Sequence, residues 1–259
     1  MNQYVKYLIP HSIRKGLRKG RRATVDGLYR FLARRLSSHT GDDSTGLTYM
    51  LEVKHYSIDL VLQGYLMGIF PTTFYNTGYV RWHDPAERGV SPIKEFHVPS
   101  NLKRLLRKET FEYRVDCDFQ LVMENCVGGR GVTHITPEYM NVYSQLFEMG
   151  LAHSVSVWKD GAMVGGRFGV TIGGYFSGES SFQRVPNAGK ASLIRLAEIL
   201  AAGGFLLRDE GWPTEFMEQF GERAVARDEF HRLHKVAITT PARFDANAPA
   251  IFSSKPLGD

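Results

Sequence analysis

The run Gly178-Glu179-Ser180-Ser181-Phe182-Gln183-Arg184-Val185-Pro186-Asn187-Ala188-Gly189-Lys190 is the part of the chain whose residue types and spacing best suit chemistry. It reads as a strand that turns into a helix. Such a junction presents backbone N–H groups at the helix start, which favours an anion or a polarised carbonyl. Glu179, at the strand end, is suited to hold a cation or accept a proton. A plainer reading stands beside this one, with Glu179 and Arg184 as an ion pair and Asn187 as a helix cap. His231 and His234 sit one helical turn apart, a spacing that can ligate a metal, but no third ligand stands nearby and a solvated helix face is the simpler account. Cys117 and Cys126 lack the basic or capping context that lowers a thiol pKa, and read as small core or surface residues. His83 beside Asp84 is a base and its orienter without a Ser or Cys nucleophile to serve.

The elements that must position these residues follow from turn and periodicity signals. His153 to Trp158 alternates, Lys159-Asp160-Gly161 is a hairpin turn, and Met163 to Ile172 is the returning strand. After Gly173-Gly174, Tyr175 to Ser180 makes a third strand. A helix from about Gly189 to Ala202 and a strand from Phe205 to Asp209 complete the set. This order predicts an α+β sheet with a helix packed on it. Upstream, the sequence predicts a helix from Ile58 to Tyr65 ending near Gly68, a loop from Tyr75 to Gly89, and a basic helix entered at Ser100 as N-cap. It also predicts a short strand at Tyr113 to Val115, a helix from Phe119 to Cys126, a glycine loop at 128–131, and a helix opened by Thr136-Pro137-Glu138 and ended near Gly150.

Composition bounds what this scaffold can be. The 259 residues are 43% hydrophobic and 23% charged, the proportions of an ordinary folded chain. Two cysteines exclude a disulfide framework. The longest apolar stretch, Leu196 to Leu207, is broken by Glu198 and Gly203-Gly204, so no membrane span is expected. Residues 1–40 hold ten basic side chains and one acid, a net of +9, and with the whole chain at +5 the remainder carries −4. The basic character thus belongs to an N-terminal arm suited to a polyanion, either nucleic acid or an anionic surface. Leu28, Phe31, Leu32 and Leu36 give that arm a short apolar helical stripe.

Several segments, in order, resemble the leucyl/phenylalanyl-tRNA–protein transferase family over roughly residues 46–235. They are Gly68-Ile69-Phe70-Pro71, Trp82-His83-Asp84-Pro85, Ile135-Thr136-Pro137-Glu138, Gly150-Leu151-Ala152-His153-Ser154-Val155, Trp158, Val164-Gly165-Gly166 and the Gly178-to-Lys190 run. The resemblance implies an α+β fold: a small N-terminal subdomain followed by an acetyltransferase-like (GNAT-like) mixed-sheet domain. Set on this chain, that gives a basic extension at 1–45, the subdomain at 46–110, the aminoacyltransferase domain at 111–240 and a tail at 241–259. It implies transfer of Leu or Phe, or Met, from charged tRNA to the free α-amine of an acceptor protein that begins with Arg or Lys, marking it for degradation. It further implies a cytoplasmic monomer needing no metal or organic cofactor.

The residue roles implied by the resemblance are equally definite. Glu179, Asp209 and Glu210 fall to catalysis and acceptor binding, and Phe168, Phe176, Phe182 and Leu193 to the aminoacyl pocket. Lys103, Arg104, Arg107 and Lys108 match the basic helix that meets the acceptor stem, with 103/107 and 104/108 paired by helical spacing. Trp82 and His134 are assigned to tRNA, and Ser180, Arg184 and Asn187 to the surrounding loop. The sequence also departs from the family. Gly211 stands where an Asp-x-Gln element has its Gln, and Phe216 replaces a usual His. His134 replaces a Trp, and Ser181 replaces a Met. Either Glu210 or Asp209 then does the polar work, or donor and acceptor differ. An acyl-CoA-dependent acyltransferase and a non-catalytic module binding tRNA or peptide N-termini are the alternatives.

Overall fold

A computed structural model describes residues 41–42, 48–49, 51–73, 79–108, 111–127 and 134–250. Nearly all of the basic extension, its apolar stripe and the glycine loop at 128–131 lie outside the described residues. The chain forms two compact units, Met1–Asp84 and Pro85–Asp259. Residues 87–106, which the sequence groups with the N-terminal subdomain, supply a strand and a helix to the second unit.

In the first unit, β1 (Gly41–Asp42) pairs with β2 (Thr48–Tyr49), and β3 (Leu51–Val53), β4 (Phe70–Thr73) and β5 (Val80–His83) form an antiparallel sheet in the order β3-β5-β4. Helix α1 (Ile58–Met67) starts where the Ser57 hydroxyl accepts the Leu60 N–H at 3.2 Å and stops at Gly68, whose φ of 74° is a left-handed cap. Trp82 lies on the central strand of this sheet, in the stretch expected to be a loop. Its short, non-alternating strand had no periodic signal to reveal it. The indole is fully buried against Gly64, where a Cβ would come within 2.0 Å of the ring.

The second unit is built on a seven-stranded sheet ordered β12-β6-β11-β10-β9-β8-β7. Its strands are β6 (Glu87–Pro92), β7 (Glu112–Val115), β8 (Ala152–Lys159), β9 (Ala162–Ile172), β10 (Tyr175–Gln183), β11 (Leu207–Gly211) and β12 (Arg223–Ala226). All neighbours are antiparallel except β10 and β11, which are parallel and joined by helix α5. The helices are α2 (Ser100–Leu106), α3 (Phe119–Val127), α4 (Pro137–Glu148), α5 (Ala188–Ala202), α6 (Glu215–Glu218) and α7 (Arg227–Thr239). The β8–β9 hairpin turns through Asp160 and Gly161, both at positive φ, as the Asp-Gly pair demands. The α+β class and the mixed sheet are therefore those expected.

Adjacent strand residues face opposite sides of a sheet, so two contacts fix the layers. Arg167 reaches Ser192 on α5, whereas Phe168 meets Phe119 of α3 and Tyr139 and Tyr143 of α4. Tyr175 packs on His234 of α7, whereas Phe176 joins Leu196, Ile199 and Leu200 of α5. Helix α5 thus covers one face and α3, α4 and α7 the other. Residues of the segment after Thr240 also pack on the α5 side, with Ala248 buried among Phe176 and Leu200.

Two details differ from expectation. Helix α2 begins at Ser100 with Pro99 in the cap position and no side-chain cap. Proline there already fixes φ, and Ser100 is drawn inside the first turn. His234 is fully buried against Tyr175 at a ring separation of 4.6 Å, so the face carrying it is packed rather than solvated.

Candidate functional site

The site grows from the way β10 and β11 part. Their parallel ladder runs only through Tyr175–Leu207, Phe176–Arg208 and Ser177–Asp209. Beyond it, β10 bulges between Gly178 and Ser180 and continues with β9 as far as Gln183, while β11 bulges after Asp209 and continues with β6 to Gly211. The sheet separates just where Glu179 and Glu210 stand. Bulges that end pairing and re-aim side chains are common beside functional sites.

On the face covered by α4, Glu179 is held by hydroxyls. Tyr139 donates to Oε2 at 2.9 Å and Tyr143 to the same oxygen at 3.2 Å, while Ser177 donates to Oε1 at 3.2 Å. Helix α4 supplies both tyrosines one turn apart, stacked at 3.8 Å with their planes 9° from parallel. The helix start is set by Thr136, whose hydroxyl accepts the Tyr139 N–H at 3.2 Å, with Pro137 as the first helical residue. Phe168 stands edge-on to both rings, and the His134 ring stands edge-on to Tyr139 at 5.7 Å. Both tyrosines are fully buried whereas Glu179 is half-buried, so the carboxylate stands at the edge of an apolar, aromatic wall.

Asp209 lies deeper. Arg88 binds it in bidentate fashion, Nε to Oδ1 at 2.8 Å and Nη2 to Oδ2 at 2.7 Å, with both side chains 1% exposed. The Tyr175 hydroxyl donates to Oδ2 and the Gly211 N–H to Oδ1 at 2.9 Å. Burial, and then the charge of Asp209, hold the Tyr175 phenol well above its ordinary pKa, so it stays a donor. Asp209 is thus held as a buried anchor by Arg88, Tyr175 and Gly211. Its oxygens are engaged, and it fixes the point at which β11 leaves β10.

Glu210 turns to the α5 face. It pairs with Arg208 at 2.8 Å, and Gly178 is close enough that a Cβ there would lie 3.2 Å from Oε2. Arg167 shares this face. Burial lowers its pKa to about 10, partly offset by the charge of Glu210. Behind these groups lies Glu222, 5% exposed, whose Oε1 accepts the Thr214 N–H at 2.9 Å. Burial raises its pKa to about 7, with the Thr214 hydrogen bond and Arg208 opposing and Glu210 and Asp209 adding to the rise.

The remaining expected residues are distributed as follows. Phe168 borders the Glu179 cluster, and Phe182 and Ser180 are half-buried on the bulged end of β10. Phe176 and Leu193 are enclosed on the α5 side, packed among largely aliphatic residues. Trp82, buried on its own sheet, is enclosed too completely to stack on a base. Arg184 donates to Asn125 rather than pairing with Glu179, and Asn187 takes a left-handed conformation at the helix start without capping it. Arg104 and Lys108 line a groove with Asn187 and Lys190, whereas Lys103 and Arg107 do not. Tyr139, Tyr143, Arg88 and Arg167 escaped the sequence reading. The aromatic pair at helical spacing just after Thr136-Pro137 was the available signal for the first two.

Among the described residues there is no cluster of three or more His, Cys, Asp or Glu arranged to hold a metal. Nor is any helix there long and apolar enough to cross a membrane. A family model described as leucyl/phenylalanyl-tRNA protein transferase matches residues 90–235. The chain is 44% identical over 174 residues to a protein of that name from Salinibacter ruber, covering 67% of this chain and 76% of that protein. It is 42% identical over 192 residues to one from Herpetosiphon aurantiacus, covering 74% of this chain and 99% of that one. A crystal structure of FemX overlaps 79% of this chain and 75% of its own at 12% identity, with a TM-score of 0.46.

Proposed function

The chain belongs to the leucyl/phenylalanyl-tRNA protein transferase family, and from that premise we propose that it moves a leucyl or phenylalanyl group, or a methionyl group, from charged tRNA to the N-terminal α-amine of an acceptor protein beginning with Arg or Lys. We read it as a cytoplasmic monomer with an acetyltransferase-like second unit, acting without metal or organic cofactor.

The donor ester is already activated, so the enzyme's task is to align a neutral amine with the carbonyl carbon and to stabilise the tetrahedral oxyanion. The amine forms the new C–N bond, the ribose C–O bond breaks, and the proton lost from nitrogen ends on the ribose hydroxyl. The observation that carries this reading is Glu179, a carboxylate gripped by Tyr139, Tyr143 and Ser177 at the parting of β10 and β11. Fixed in this way, it offers a preorganised anion to the acceptor's cationic end. Gly211 supplies no side chain for proton transfer, which fits a reaction driven chiefly by positioning.

The test is transfer of labelled Leu, Phe or Met from tRNA to peptides differing only in the first residue. Transfer to Arg- and Lys-initiated peptides, with little to Ala-initiated ones, is expected. A folded chain that transfers none of the three groups to any of these peptides overturns the reading.

A further inference from the structure

The parting of β10 and β11 leaves a strand edge that is unpaired among the described residues. Beyond Ser177 no described strand pairs with β10 on the side away from β9. Ser180, Ser181 and Phe182 there, and Glu210 and Gly211 on β11, are all half-buried. Such an edge is a template on which an extended peptide adds as a further strand, its side chains directed alternately to the two faces. One face carries Glu179. The other carries Arg167, which stands opposite Ser181 in the β9–β10 register and reaches toward α5.

Arg167 is 9% exposed, and among the described residues its one hydrogen bond runs from Nε to the Ser192 hydroxyl at 3.2 Å. Ser192 is fixed in turn by donating to the Gly189 carbonyl at 2.8 Å. No described carboxylate forms an ion pair with Arg167. Glu210, on the same face, is held by Arg208 at 2.8 Å, and burial drives Glu222 toward its neutral form. An enclosed guanidinium bonded only to a neutral hydroxyl is costly unless an anion completes it. The lowering of its pKa by burial, to about 10, expresses the same cost and still leaves it charged at neutral pH. Its two Nη groups keep four N–H donors in the planar fork that matches a carboxylate.

We propose that Arg167 receives the carboxylate of an acidic side chain at the acceptor's second residue, and so determines specificity at that position. The inference rests on the transferase reading, which seats the acceptor's first side chain at Glu179, and extends it by one residue. In an extended acceptor lying along the parted edge, a first side chain on the Glu179 face puts the second on the Arg167 face. The favoured acceptor then begins with Arg or Lys followed by Asp or Glu. Ser192 acts through Arg167, as a positioning residue.

The experiment measures kcat/KM of the full chain for transfer of leucine from tRNA to two peptides, identical but for Arg-Glu or Arg-Gln at the start. The wild-type chain is expected to prefer Arg-Glu by at least about tenfold, the lower end for a hydrogen bond to a charged group. Arg167→Gln is expected to bring the ratio to within about twofold of one. Arg167→Lys is expected to keep a reduced preference, because an ammonium supplies charge without the fork. Each ratio is taken within one protein, so a loss of folded material cancels. A wild-type ratio near one, or a preference undiminished in either variant, overturns the assignment. Glutamyl- and glutaminyl-tRNA are compared as donors to the Arg-Gln peptide. A preference for the glutamyl group, with none between the two peptides, places the carboxylate on the donor and also overturns it. If the wild-type chain transfers leucine to both peptides alike, the transferase reading stands without this inference. If it transfers to neither, nor to any peptide beginning with Arg or Lys, both fall.

Discussion

Replacing Glu222 with glutamine should flatten the dependence of folding stability on pH. The wild-type carboxyl is 5% exposed, and burial raises its pKa from 4.5 to about 7. Folding therefore favours the protonated form. The stability this contributes is complete below pH 4.5 and is lost as the pH rises through about 7, because the ionised group must then be kept buried or be reprotonated. At about 1.4 kcal/mol per pKa unit, the shift corresponds to about 3 kcal/mol between the two limits. Glutamine keeps an oxygen for the Thr214 N–H at 2.9 Å and carries no charge. It leaves a buried amide to be satisfied, at a cost of about 1 kcal/mol that does not vary with pH. Urea unfolding at pH 5 and pH 8, monitored by tryptophan fluorescence, reads the result. The wild-type chain should lose about 2 to 3 kcal/mol more than the variant over this interval. Parallel losses would show that Glu222 titrates alike in the folded and unfolded chains and would refute the reasoning.

Arg88→Ala leaves Asp209 buried without its bidentate partner and should cost about 3 to 5 kcal/mol in urea unfolding, against under about 1 kcal/mol for an exposed pair. Gly64→Ala drives a Cβ to 2.0 Å from the Trp82 ring and should destabilise the first unit by about 1 to 3 kcal/mol despite alanine's better helix propensity, with a changed near-ultraviolet signal from Trp82. Glu179→Gln should reduce transfer to Arg- and Lys-initiated peptides by at least about tenfold, since a hydrogen bond to a charged group contributes about 1.5 to 3 kcal/mol. An unaltered ratio between Arg- and Ala-initiated peptides would remove Glu179 from acceptor recognition.

The sheet's centre was legible because its signals are local. Asp160-Gly161 demands a hairpin turn, and the strands on either side alternate or run apolar between glycines. Thr136-Pro137 announced α4 in the same way. The strands β5, β6 and β12 carry no such mark. Residues 87–92 read Glu-Arg-Gly-Val-Ser-Pro, and only pairing with β11 and β12 makes them a strand. Long-range partners were hidden for the same reason. Nothing in the sequence near position 88 signals that its arginine neutralises Asp209, 121 residues later. Glu179 was legible as a reactive carboxylate in a polar junction, but its two tyrosine partners come from a helix some 40 residues earlier, as the separation of Tyr139 from it shows. The period of two along β10 and β11 also carried a consequence the sequence reading did not use. Asp209 and Glu210 face opposite sides of the sheet.

The most direct test of the account is a crystal structure of the chain soaked with an aminoacyl-adenosine analogue of the puromycin type. The account predicts the analogue in the gap where β10 leaves β11, its aminoacyl group against Phe168 and its reactive carbonyl on the side of the sheet that carries Glu179, Tyr139 and Tyr143. An analogue bound away from this gap, with Glu179 still enclosed by its hydroxyl partners and out of reach of the ester, would contradict it.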